Sequence, residues 1–271
     1  DDVVVIPAFS AEIADLKRLE SIGCTVLDTT CPWVERPHRR AERLTGEGYT
    51  LVIHGKVDHD ETRATCSLIR SRGGAYVVAN IRGGGEFGPK WHQAALKGKR
   101  HKSFEDFIAV AEDLVARGIT SPRHLGIEGG SQGGLLVGGA FVQRPELFRA
   151  VVCAVPLLDM KRYNKLLAGA SWMAEYGNPD VPEEWEYIRT FSPYHNVKKD
   201  AKYPPVLFMT STRDDRVHPG HARKMVAKMN AMGKPNLYYE NIEGGHGGAA
   251  NNEQSARVQA LIYTYLLNEL Q

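Results

Sequence analysis

Leu125-Gly126-Ile127-Glu128-Gly129-Gly130-Ser131-Gln132-Gly133-Gly134-Leu135-Leu136 is the stretch on which the reading of this chain turns. Leu125–Ile127 is apolar and short, as a buried strand is, and Leu135–Phe141 reads as a helix of small residues. Between them Gly129-Gly130-Ser131-Gln132-Gly133 matches G-x-S-x-G. A serine whose oxygen must project into a cleft sits on a sharp strand-to-helix turn, where a side chain on either flanking glycine would strike the neighbouring strand or helix. A glycine-rich turn with an incidental serine would give the same five letters; the strand before and the helix after favour the chemical reading. The helix that starts at Gln132 points its free amides at developing negative charge, so the Gln132 N–H is expected to donate to an oxyanion.

A serine hydroxyl is a poor nucleophile until a base removes its proton. Working outward, His246 stands in Gly244-Gly245-His246-Gly247-Gly248, after the strand expected at Leu237–Asn241. Glycines on both sides allow that loop to bring an imidazole over Ser131. An acid that orients the ring belongs on a strand end between the two. The strand Pro205–Thr210 runs into Ser211-Thr212-Arg213-Asp214-Asp215-Arg216, and Asp214 leaves the strand end first, with Asp215 as its competitor. Nucleophile, acid and base thus follow one another in chain order at three strand ends.

The remaining pattern is α/β. Val3–Pro7, Cys24–Leu27 and Tyr49–Ile53 read as strands. A helix capped by Ser10 and running to Ile22 separates the first two, and a helix entered at Pro32 separates the next two. This β-α-β-α-β pattern calls for a parallel sheet. Ala75–Asn80 and Ala150–Val155 add strands. Phe104–Arg117, Gly220–Met232 and Asn252–Leu267 add helices, and 156–203 is irregular with short helices. With 34 basic and 32 acidic residues in 271, the charge balance carries no footprint for nucleic acid or for a membrane surface. No apolar run is long enough to span a bilayer. Cys24, Cys31, Cys66 and Cys153 form no C-x-x-C pair and are expected to be free thiols, which favours a cytoplasmic, reducing setting. The chain opens with Asp1-Asp2-Val3 at the edge of a strand, as a piece of something longer would.

Five segments together resemble the prolyl oligopeptidase family: Asn80-Ile81-Arg82-Gly83-Gly84-Gly85-Glu86, Ser131 with its glycines, Ser192-Pro193-Tyr194-His195-Asn196, Asp214-Asp215-Arg216-Val217 and Gly245-His246-Gly247. The likeness runs from about residue 68 to the end. It implies a three-layer α/β/α architecture of the α/β-hydrolase fold, and cleavage of short peptides, often after proline. By that resemblance Ser131, Asp214 and His246 fall on the family's triad. Arg216 falls where a substrate carbonyl is bound, and Val217 and Phe191 at the apolar pocket for a proline ring. Tyr187 stands where many members carry Trp, and Gln132 where many carry Asn. The family's β-propeller is missing from the sequence. So is the start of the catalytic domain, with its tyrosine as second oxyanion donor.

Residues 1–67 resemble something else. Pro7-Ala8-Phe9, Asp28-Thr29-Thr30-Cys31-Pro32-Trp33 and Ile53-His54-Gly55-Lys56 with His59-Asp60-Glu61-Thr62 are similar to an interior slice of hydroxymethylbutenyl diphosphate reductase. That resemblance would make Cys31 one ligand of an iron–sulfur cluster, and would place His59 and Glu61 at diphosphate binding and proton delivery. One thiolate does not hold such a cluster, so no cofactor is expected. The chain therefore reads as a chimera: residues 1–67 form a reductase-like segment whose strands replace the first strands of the hydrolase, and residues 68–271 form the catalytic region. The leading functional expectation is a serine peptidase or esterase acting through an acyl-enzyme on Ser131, with a short peptide as its partner. An iron–sulfur reductase and a non-catalytic α/β scaffold are the rivals.

Overall fold

A computed structural model describes residues 3–6, 13–28 and 77–270. Its centre is a parallel sheet of β3 (Gly126–Gly130), β4 (Ala150–Ala154), β5 (Val206–Ser211) and β6 (Asn236–Asn241), in that spatial order. The register pairs Gly126 with Ala150, Val151 with Val206, and Val206 with Asn236. All-parallel strands must be covered on both faces, and their sequences show it. The whole of β5, VLFMTS, is buried, as is β4 up to Cys153.

Alternate residues of each strand face opposite helical layers. Ile127, Val151, Cys153, Val206 and Phe208 pack with Phe107, Val137, Phe141, Met225 and Met229. These come from α3 (His101–Ala116), α4 (Gln132–Gln143) and α8 (Gly220–Ala231), which cover one face. On the other face Ala150, Val152, Leu207 and Met209 meet Ile262, Tyr265 and Leu266 of α9 (Asn252–Glu269). Each fully buried Leu, Val or Phe contributes about 1.5–3 kcal/mol, so these two clusters hold the three-layer α/β/α sandwich together. The short elements α2 (Pro89–Gln93), α5 (Met173–Tyr176), α6 (Pro182–Ile188) and α7 (Pro193–Asn196) lie in the connections.

At the other end of the chain, β1 (Val3–Ile6) and β2 (Thr25–Asp28) pair in parallel on either side of α1 (Ile13–Ser21). Leu16 and Leu19 of α1 are half-buried, while Ile22, just past it, and Leu27 of β2 are exposed. No ladder joins this pair to the four-stranded sheet among the described residues. Residues 77–80, the described part of the strand expected at Ala75–Asn80, form no strand. Apolar alternation favours an extended backbone, but ladder bonds to a neighbour make the strand. The idea that the first segment rebuilds the hydrolase sheet therefore gains no support from these residues. The helix entered at Pro32, the strand at Tyr49–Ile53, and Cys31, His59 and Glu61 lie outside the described residues.

Candidate active site

Ser131 follows β3 directly and opens α4. Its backbone is at φ 59° and ψ −115°, a left-handed conformation that costs a non-glycine residue of order 1–3 kcal/mol. The surroundings hold it there. The Ser131 amide donates to the Ala154 carbonyl at 2.9 Å, and the Ser131 carbonyl accepts from Leu135 at 3.2 Å. The flanking glycines are needed for closeness. A Cβ on Gly129 would run into the Gly133 carbonyl, and one on Gly134 would lie 2.6 Å from Pro156 Cβ. As the first helical residue, Gln132 has an amide with no acceptor inside the helix.

Asp214 sits in the turn after β5, its side chain fully buried. Oδ1 accepts the amides of Arg216 and Val217, each at 2.9 Å. Burial pushes this carboxyl up, but the hydrogen bond from His246 and the two backbone amides outweigh it, leaving it below the usual carboxylate range. Asp215 is exposed.

His246 stands on the loop after β6. Its Nδ1 is 2.9 Å from both carboxylate oxygens of Asp214, and its Nε2 is 3.0 Å from Ser131 Oγ. With Nδ1–H donating to Asp214, the Nε2 lone pair accepts the serine O–H. The loop is shaped by a residue the sequence reading passed over. Asn241 is buried at the end of β6, and its Oδ1 accepts the amides of Glu243 and Gly244 at 2.9 Å. Its Nδ2 donates to Gln254 of α9 at 2.9 Å. An Asx turn at a strand end is a signal that could have been read.

Two cavities meet at Ser131 and Gln132. One, of about 580 Å³, is walled by Leu157, Ala168, Trp172, Tyr176 and Arg216. The other, of about 520 Å³, is walled by Ile81, Gly83–Gly85, His92, Arg100 and Leu136. Glu175 lines both. Arg216 and Ser131 thus line the same cavity. Val217 is buried with its amide on Asp214. Phe191 and Tyr187 are not brought to either cavity. Phe191 is buried in the core, stacked 6.1 Å from Phe104, and the Tyr187 hydroxyl donates to Glu184 at 3.0 Å. Trp172 and Tyr176 are the aromatic residues of the first cavity, and Phe104 lines the second. Trp172 and Tyr176 come from the irregular stretch, where no periodicity marks which aromatic faces the site.

A serine on a strained strand–helix turn, with acid and base on later strand ends of a parallel sheet, defines an α/β-hydrolase. Comparison with known proteins takes this further. A family model described as the prolyl oligopeptidase family matches residues 60–271, and the chain belongs to that family. A second model, LytB protein, matches residues 1–113 and overlaps the first over 60–113. An uncharacterised peptidase of Sinorhizobium fredii is 59% identical over 199 residues, covering 73% of this chain and 27% of that protein. The prolyl endopeptidase of Elizabethkingia miricola is 42% identical over 202 residues, covering 73% of this chain and 29% of that protein. Among solved structures, a post-proline cleaving enzyme from Rickettsia typhi superposes with a TM-score of 0.75 at 42% identity, covering 82% of this chain and 33% of that one. The chain spans less than a third of the length of these curated relatives.

Proposed function

We propose that the chain carries the catalytic machinery of a serine peptidase that cleaves short peptides after proline through an acyl-enzyme on Ser131. The observation that carries this reading is the unbroken relay from Asp214 through His246 to Ser131 Oγ, with contacts of 2.9 and 3.0 Å. In this reading Ser131 Oγ attacks the scissile carbonyl while His246 Nε2 takes its proton, and Asp214 stabilises the imidazolium. The carbonyl oxygen becomes an oxyanion against the Gln132 amide. The imidazolium then returns the proton to the leaving amine as the C–N bond breaks. Water, deprotonated by His246, hydrolyses the ester that remains. The residue before the scissile bond enters the cavity of Trp172 and Tyr176, whose flat apolar faces suit a proline ring. Arg216 is the cation available there for a substrate carbonyl.

The test is a fluorophosphonate probe. The protein is expected to label stoichiometrically and the Ser131→Ala variant not at all; equal labelling of the two would remove Ser131 from the reading. We also read the chain as two parts, 1–67 and 68–271; the prolyl oligopeptidase model begins at residue 60, while the LytB model runs on to residue 113.

A further inference from the structure

One polar cluster beside Ser131 has no part in the chemistry above. Arg100 lies just before α3 with a side chain only 3% exposed. It donates to Glu175 Oε1 through Nη2, and Glu175 Oε2 is 2.8 Å from His92 Nε2. The guanidinium carbon is 4.9 Å from the centre of the Tyr176 ring. A Cβ on Gly83 would lie 3.2 Å from Arg100 Nη1. The guanidinium is thus wedged between a backbone turn and an aromatic wall of the cavity, and its Nε finds no hydrogen-bond partner among the described residues.

Burying an ion pair with an unsatisfied donor adds little stability, because desolvation offsets the attraction. What such a pair does supply is a fixed geometry. The segment that needs fixing is Leu167–Tyr176, one 3-10 stretch followed by a single helical turn. Its backbone bond to the strand-end loops is Ala168 N–H to the Arg216 carbonyl, at 3.3 Å. Trp172 and Tyr176 ride on this segment, and Glu175 ties it to the elements before the nucleophile. We propose that Arg100 and Glu175, steadied by His92, are a positioning pair that sets Trp172 and Tyr176 against Ser131 and thereby fixes which side chain the acyl half of the substrate carries. This rests on the reading of Ser131 as nucleophile and of that cavity as the acyl-side pocket.

The test uses the full chain and two kinds of covalent probe. A small alkyl fluorophosphonate reads Ser131 and His246 alone. A matched pair of dipeptidyl diphenyl phosphonates, ending in a proline or an alanine analogue, reads the pocket. Arg100→Met and Glu175→Gln are expected to lose about tenfold of the proline-over-alanine preference, the scale on which apolar pockets discriminate, with a smaller change in the alkyl rate. His92→Asn, at a 42% exposed side chain, is expected to lose part of it. Should Arg100→Met fail to fold, the near-isosteric Glu175→Gln and the exposed His92→Asn carry the test. Folded variants that keep the full preference, or that lose both kinds of labelling equally, overturn the proposal. So does a parent that labels without discriminating, although Ser131 then stands as nucleophile. A parent that rejects the alkyl probe overturns both readings.

Discussion

The Ser131 hydroxyl has value only through the ring beside it, and the ring through the carboxylate behind it. Asp214 accepts two amides as well as the imidazole, so its charge is held in place before any substrate arrives. Asp214→Asn would present an amide to Nδ1 and favour the wrong tautomer. We expect alkyl fluorophosphonate labelling to slow by about 10³–10⁴-fold, measured as a second-order inactivation rate. The same carboxyl also predicts a pH effect. Its pKa in the folded protein lies below the ordinary value, so its contribution to stability is present above the unfolded pKa and is lost as the pH falls through the folded one. Acid melts should therefore lower the Tm of the parent more steeply than that of Asp214→Asn. Ser131, Asp214 and His246 could be singled out because each stands next to glycines or acids at a strand end, a local signal. Trp172 and Tyr176 were not, since several aromatic residues share that irregular stretch and only packing selects among them.

At the scale of elements, the turn between β3 and α4 is where close approach decides. Gly134→Ala would force a Cβ to within 2.6 Å of Pro156. Overpacking of this kind costs about 1–3 kcal/mol, to be read from the urea midpoint. The loop carrying His246 depends on Asn241. Asn241→Ala leaves two amides without their acceptor and is expected to slow labelling while the fold persists by circular dichroism. Strand and helix positions from Phe104 onward followed from apolar period and length, within a few residues of the structure. Residues 77–80 did not, because a strand needs a partner that its own letters do not specify.

For the molecule as a whole, α9 closes one face of the sheet. Tyr265 of α9 donates its hydroxyl to the Pro205 carbonyl at 2.6 Å and accepts the Val151 amide at 3.0 Å. Tyr265→Phe takes this partner from the buried Val151 amide and the half-buried Pro205 carbonyl, at about 1–3 kcal/mol, and should lower the Tm without altering the labelling chemistry. The reductase-like segment carries its own expectation. Anaerobic reconstitution with iron and sulfide should leave the protein colourless, since Cys31 stands alone at a matching ligand position. A brown product with broad visible absorbance and bound iron would reverse that reading. What the amino-acid order determined by itself was whatever depends on neighbours in the chain: the glycine hinge at Ser131, the order of acid and base, the alternation of strand and helix. Tertiary structure alone decided what depends on distance through space. It put Asp214 rather than Asp215 against His246, lined the cavity beside Ser131 with Trp172 and Tyr176 rather than Tyr187 and Phe191, and, among the described residues, paired β1 with β2 alone. Local chemistry restricts each residue's conformation, but which surfaces meet is set by packing among segments far apart in sequence.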